Sequence, residues 1–84
     1  MAKLLTERTK EEMRLISEYV NKNIEGKKYG GEQFKRTNIS IIMEDNKDYY
    51  KLDMYLTTQI PIVLFGEDKE TLLLQFDGFV KGIS

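Results

Sequence analysis

From residue 13 the apolar side chains recur every three or four positions: Met13, Ile16, Val20 and Ile24, with Leu15 and Tyr19 widening the stripe. That spacing predicts an amphipathic helix. Thr9 followed by Glu12 reads as a capping box, in which the hydroxyl accepts one free amide and the carboxylate returns to the cap amide. Thr6 is an earlier candidate start, and Glu7, Glu11 and Glu12 complement the positive end of the helix dipole. Gly26 is the expected stop, because glycine adopts the left-handed conformation cheaply just past a helix end.

Beyond residue 37 the period changes to two. In "NISIIME", Ile39, Ile41 and Met43 alternate with Asn38, Ser40, Ile42 and Glu44. "EDNKD" reads as a turn, since Asp and Asn side chains bond their own backbone there. "YYKLDMYL" is the cleanest strand: Tyr50, Leu52, Met54 and Leu56 share one face, and Tyr49, Lys51, Asp53 and Tyr55 the other. In "IPIVLF", Ile60, Ile62 and Leu64 oppose Pro61, Val63 and Phe65. Pro61 lacks an amide donor, which places it at a strand's start or on an edge.

The last segment, "DKETLLLQFDGFVKGI", returns to a helical period, with Leu72, Leu73, Phe76, Phe79, Val80 and Ile83 on one arc and Leu74 as the misfit. Asp68 is the candidate N-cap. Gly78 and Gly82 count against a helix by about 1 kcal/mol each. The alternative over residues 70–83 is a fourth strand, joined as a hairpin through "GEDK". The reading taken is a single α+β domain over residues 1–84, in the order αβββα. It has an N-terminal helix, a three-stranded antiparallel meander and a C-terminal helix, with both helices on one face. The expected core is Ile16, Val20, Ile39, Ile41, Leu52, Met54, Ile62, Leu64, Phe76 and Val80.

Composition narrows the chemistry. The chain contains neither histidine nor cysteine, which removes the commonest proton shuttle, thiol nucleophiles, disulfides and the usual zinc ligands. Ser17, Ser40 and Ser84 sit in no nucleophile elbow. The acidic pairs Glu11/Glu12, Glu44/Asp45 and Glu67/Asp68 fit caps and turns better than acid–base catalysis, which needs burial or a close charge to split two pKa values. The expectation is therefore a protein that is not an enzyme and needs no cofactor or metal. "MAKLLTERTK" does not read as a secretory signal, and no apolar run reaches the length of a membrane span. A cytoplasmic location without membrane association is expected.

Net charge is −1, but it is unevenly spread: residues 1–43 hold nine Lys/Arg against six Asp/Glu, and residues 44–84 hold four against eight. Such asymmetry bears on partners rather than on fold. The basic half contains "GKKYGGEQFKR", residues 26–36. It is neither a Walker loop nor a dinucleotide fingerprint. Lys27, Lys28, Tyr29, Lys35 and Arg36 are candidates for holding an anion, the glycines presenting backbone amides in a nest. The plainer reading is a solvated connector between helix and strand.

The face of the sheet opposite the core stripe collects Ile42, Tyr49, Tyr55, Val63 and Phe65. If both helices cover the other face, these form an open, partly apolar surface of the kind found at interfaces. Tyr55 is expected to point outward near Ile42 and Val63, as an interface hot spot. The acidic residues Glu44, Asp45, Asp48 and Asp53, with Glu67 and Asp68, can mimic nucleic-acid phosphates toward a basic partner.

The element order resembles two known groups. Double-stranded-RNA-binding domains need a basic start to the second helix, whereas this chain has "GEDKE", so nucleic acid is not the expected partner. The order, length, acidic second half and "ETLLLQFDGF" also resemble small phage-encoded inhibitors of the αβββα type, including anti-CRISPR proteins. That resemblance matches no family motif and transfers no functional residue. It implies a non-catalytic module that binds and inhibits a host or defence protein. A homodimer is compatible with this reading, and the alternative function is a homo-oligomer that binds a nucleotide or another anion at residues 26–36.

Overall fold

A computed structural model describes residues 7–83, with side chains from Thr9 onward. Helix α1 spans Glu7–Ile24, strand β1 Lys28–Tyr29, β2 Glu32–Gln33, β3 Arg36–Glu44, β4 Lys47–Tyr55, β5 Ile62–Gly66 and helix α2 Lys69–Lys81. The expected αβββα order is present, with a small hairpin inserted after the first helix. The sheets are therefore two, β1-β2 and β3-β4-β5, rather than one meander alone.

α1 starts before the expected cap. Thr9 lies inside the helix, four residues before Met13 and seven before Ile16, and is buried with that stripe. Thr9 is therefore not the N-cap of α1. Residues 7–10 contain no helix breaker, and propagation adds a hydrogen bond for each residue fixed. Thr6, the other candidate start, lies outside the described residues. Glu12 is used differently: its Oε1 accepts the Tyr50 hydroxyl at 2.7 Å, tying α1 to the central strand. Gly26 ends the helix at φ +78° as expected, and the Lys27 amide donates to the Ile24 carbonyl at 3.0 Å.

The three-stranded sheet follows the alternation closely. β3 and β4 pair one-for-one from Arg36↔Tyr55 to Glu44↔Lys47, closed by a two-residue turn. Asp45 (φ 52°) and Asn46 (φ 63°) occupy its central positions, both left-handed as a type I′ turn requires. β5 pairs with β4 from Met54↔Ile62 to Tyr50↔Gly66, and Pro61 sits just ahead of it. α2 is a helix, and the fourth-strand alternative is not adopted. The Asp68 carboxylate caps it, accepting the Thr71 amide at 2.8 Å, and that bond holds the carboxyl below its ordinary pKa.

One core joins these elements. Ile16, Val20 and Ile24 of α1, Leu72 and Phe76 of α2, and Tyr50, Leu52 and Met54 of β4 form a single buried cluster. Ile39, Ile41, Ile62, Leu64 and Val80, also expected in the core, pack against it half-buried. Both helices therefore cover the same face of the sheet, and the misfit Leu74 is 73% exposed.

The Gly26–Lys35 region is not a plain connector. Gly30 and Gly31, at φ +59° and +83°, make the turn of the β1-β2 hairpin. Two sets of contacts anchor it. Glu32 accepts the Thr58 amide at 2.8 Å and also the Thr58 hydroxyl, and these bonds hold its carboxyl below the ordinary pKa. Gln59 Nε2 donates to the Tyr29 carbonyl at 2.9 Å. On the other side the Phe79 ring lies 5.7 Å from Tyr29 and 6.1 Å from Phe34, centroid to centroid.

Candidate functional site

No described helix or strand stacks on the face of β3-β4-β5 away from the helices. Strand alternation directs Ile42, Tyr49, Tyr55, Val63 and Phe65 there, as expected. The register decides which of them are neighbours. Ile42 sits opposite Tyr49, while Phe65 sits opposite Lys51 and diagonal to Tyr49. These three make one apolar corner, and Phe65 is 47% exposed.

Tyr55 belongs to the opposite end. It pairs with Arg36, whose guanidinium carbon lies 4.1 Å from the centre of the phenol ring. The expected proximity of Tyr55 to Ile42 is therefore corrected. Six residues of strand separate their rows, about 20 Å at strand rise. Val63, opposite Asp53, remains the diagonal neighbour of Tyr55. On β3 and β4 the rows between these ends hold Asn38, Ser40, Lys51 and Asp53, with Lys51 Nζ 3.9 Å from Asp53 Oδ1, while on β5 Phe65 and Val63 carry the apolar surface through the same two rows.

The acidic residues separate in the same way. Asp53 is only 8% exposed, and Asp48 points to the helix side, opposite Met43. Asp48 Oδ1 is buried without a hydrogen-bond partner among the described residues. Neither residue lies where surface recognition of a basic partner needs it. Asp53 is flanked on both sides, by Asn38 of β3 and Val63 of β5, whereas Asp48 has only β3 beside it and is turned to the helix side. Asp68 is occupied as the α2 cap, and Glu67 lies 3.8 Å from Lys47. Glu44 and Asp45 stay exposed at the turn. The basic and acidic regions thus occupy opposite ends of the β3-β4 hairpin, with Arg36 at one end and Glu44 at the other.

The anion-binding candidates also divide. Lys27, Lys35 and Arg36 line a cleft of about 330 Å³ together with Asn21, Glu25 and Gln33. Lys28 is exposed on β1, pairing with Gln33, and Tyr29 packs on Phe79, so neither lines the cleft. The cleft opens at the C-terminal end of α1, whose carbonyls carry partial negative charge. Lys27 and Lys35 therefore border a helix end that already attracts cations, the Arg36 guanidinium lies over Tyr55, and Glu25 subtracts from the field.

Sequence reasoning missed a second concavity. Leu15, Tyr19 and Leu73, with Glu18, Lys22 and Lys69, line a groove of about 340 Å³ between α1 and α2. The Tyr19 hydroxyl donates to Asp77 Oδ1 at 2.8 Å across the helix pair, which raises the phenol's pKa. The signal was present: Leu15 and Tyr19 flank the stripe on one side instead of lying in it. Among the described residues no cluster of acidic side chains suits a metal ion, and no helix is long and apolar enough to cross a membrane. Comparison with known proteins finds no matching family model, no matching curated protein and no matching solved structure.

Proposed function

We propose that the protein is a non-catalytic protein-binding module, an inhibitor of a host or defence protein, that engages its partner through the helix-free face of the sheet. The observation that carries this reading is the contiguous corner of Ile42, Tyr49 and Phe65 on a face no described element covers. Large aromatic side chains dominate binding energy where they are desolvated at an interface centre. The absence of histidine and cysteine from the sequence and the resemblance to small inhibitors support the same reading. The exposed Glu44 and Asp45 beside this corner favour a partner with a basic rim, and complementary charge there mainly speeds association.

The test is affinity capture with the wild-type chain as bait, followed by calorimetry on the captured partner. Tyr49→Ala and Phe65→Ala are each expected to weaken binding by about 1–3 kcal/mol while leaving urea midpoints close to wild type. Tyr55→Ala should weaken it less, because that ring stacks under Arg36 at the far end. Binding insensitive to both corner substitutions would place the interface elsewhere.

A second reading, an oligomeric protein that binds a nucleotide or another anion, is favoured by one observation. Lys27, Lys35 and Arg36 line one cleft. Thermal melts with nucleotides, cyclic nucleotides and inorganic polyphosphate test it. A true ligand at a hundredfold excess over its dissociation constant stabilises the fold by about 2.7 kcal/mol. An unchanged melt with every anion rejects this reading.

A further inference from the structure

We propose that the free edge of β3 pairs antiparallel with β3 of a second copy, about a two-fold axis at Ser40, to make a continuous six-stranded sheet. The inference is independent of the face-binding reading, since it concerns the edge and not the face.

The argument begins with where the backbone groups of β3 point. Glu44 and Lys47 close a two-residue turn, so they form a hydrogen-bonded pair. Such pairs alternate along an antiparallel ladder. With one-for-one register throughout, Arg36, Asn38, Ser40, Ile42 and Glu44 direct their amides and carbonyls to β4. Thr37, Ile39, Ile41 and Met43 direct theirs outward. β3 is the outermost strand of its sheet, and among the described residues no strand pairs with that side.

Natural edges are blunted by proline, bulges, inward charges or shortness. β3 has none of these. It runs nine residues without a bulge, and its only charges are at its two ends. β5, the other edge, is five residues long and directly follows Pro61.

The sequence of β3 is complementary to itself in one register. About a two-fold axis at Ser40, Thr37 meets Met43 of the copy and Ile39 meets Ile41, each pair exchanging two backbone hydrogen bonds. Every outward-facing group of the strand is then satisfied. Arg36 meets Glu44 of the copy at both ends of the interface, on the outer face. Ile39 and Ile41, both on the helix side, extend the core across the junction, and Met43, exposed in the single chain, gains cover. A slip of one residue would put helix-side residues against outer-face residues, which a half-buried sheet forbids. A slip of two leaves one end of the strand overhanging and sets Arg36 or Glu44 against an uncharged residue. The opposed charges at the ends of β3 thus select the antiparallel two-fold pairing over these alternatives. The same symmetry sets the two α1 helices antiparallel to one another.

Two experiments on the purified chain alone test this. In sedimentation velocity the wild type is expected to run as a dimer at high micromolar concentration. Arg36→Glu and Glu44→Arg are each expected to run as monomers, and an equimolar mixture of the two is expected to recover the dimer. The mixed pair restores an opposite charge at each end of the interface, which no intrachain effect of either substitution reproduces. In the second experiment Ser40→Cys supplies one thiol in a chain that has none. Ser40 and its copy form a non-hydrogen-bonded pair with Cα atoms about 4.5 Å apart, within disulfide reach. Mild oxidation should give a covalent dimer from Ser40→Cys and not from Thr57→Cys in the β4-β5 loop. A wild-type chain that stays monomeric overturns the proposal. So does a dimer that neither charge variant alters and that Ser40→Cys does not cross-link.

Discussion

Phe76→Ala is expected to cost about 3–5 kcal/mol of folding stability, the range for deleting a fully buried aromatic ring. Phe76 is 0% exposed and lies in the one cluster that joins α1, α2 and β4. Its ring meets Tyr19 of α1 edge-on at 5.9 Å, so the substitution opens a cavity where the two helices meet over the sheet. Native domains have about 5–15 kcal/mol in total, so the variant should lose a large share of its stability. Phe79→Ala is the control. That ring is half-buried and holds the β1-β2 hairpin through Tyr29 and Phe34, so its loss should loosen the hairpin and lower the urea midpoint much less. Urea denaturation followed by circular dichroism measures both. A Phe76→Ala midpoint near that of wild type would mean that α2 does not pack where the structure has it.

The second large effect is expected at Gly66. A Cβ built there falls 2.5 Å from the Leu72 amide nitrogen, 2.7 Å from its Cα and 2.8 Å from its Cβ. Backbone atoms cannot swing aside as a flexible side chain does. Leu72 is held in the first turn of α2, where its amide bonds the Asp68 carbonyl at 3.1 Å. Gly66→Ala must therefore push the start of α2 off the end of β5, at about 1–3 kcal/mol for overpacking of this kind. Gly78→Ala should go the other way. A Cβ at Gly78 meets nothing within 4 Å, and alanine in an exposed helix interior gains up to about 1 kcal/mol over glycine. Opposite signs in paired urea melts would verify the close approach of β5 and α2. Equal melts for the two variants would refute it.

The two glycines show how far a sequence can be read. Both appear alike along the chain, one ending a strand and one interrupting a helical stripe. Gly78 counted against a helix there, yet the cap at Asp68 and the spacing of Leu72 and Phe76 outweighed it. Only the packing of α2 on β5 separates a glycine that must be small from one that need not be. The Gly30-Gly31 turn was legible in principle, since Gly-Gly is a hairpin signal. Its flanking strands are two residues each, too short to display an alternation. Glu12 departs from its local pattern for a related reason. A capping box is a local pattern, and the Tyr50 hydroxyl that takes Glu12 instead comes from 38 residues away.

For the candidate surfaces the division follows the range of the forces involved. Side-chain direction in a strand has a period of two, so the outward set Ile42, Tyr49, Tyr55, Val63 and Phe65 was determined by the sequence itself. So were the α1 stripe, the Asp45-Asn46 turn and the Asp68 cap, each of which depends on residues within four positions of one another. Neighbourhood across strands depends on register, which spans the whole hairpin. The tertiary structure alone placed Tyr55 beside Arg36, set Phe65 and Val63 opposite Lys51 and Asp53, and shielded Asp53 on the central strand. It alone made β3 an edge with Arg36 and Glu44 at its ends, because an edge is defined by which strand is missing, and no local pattern records that.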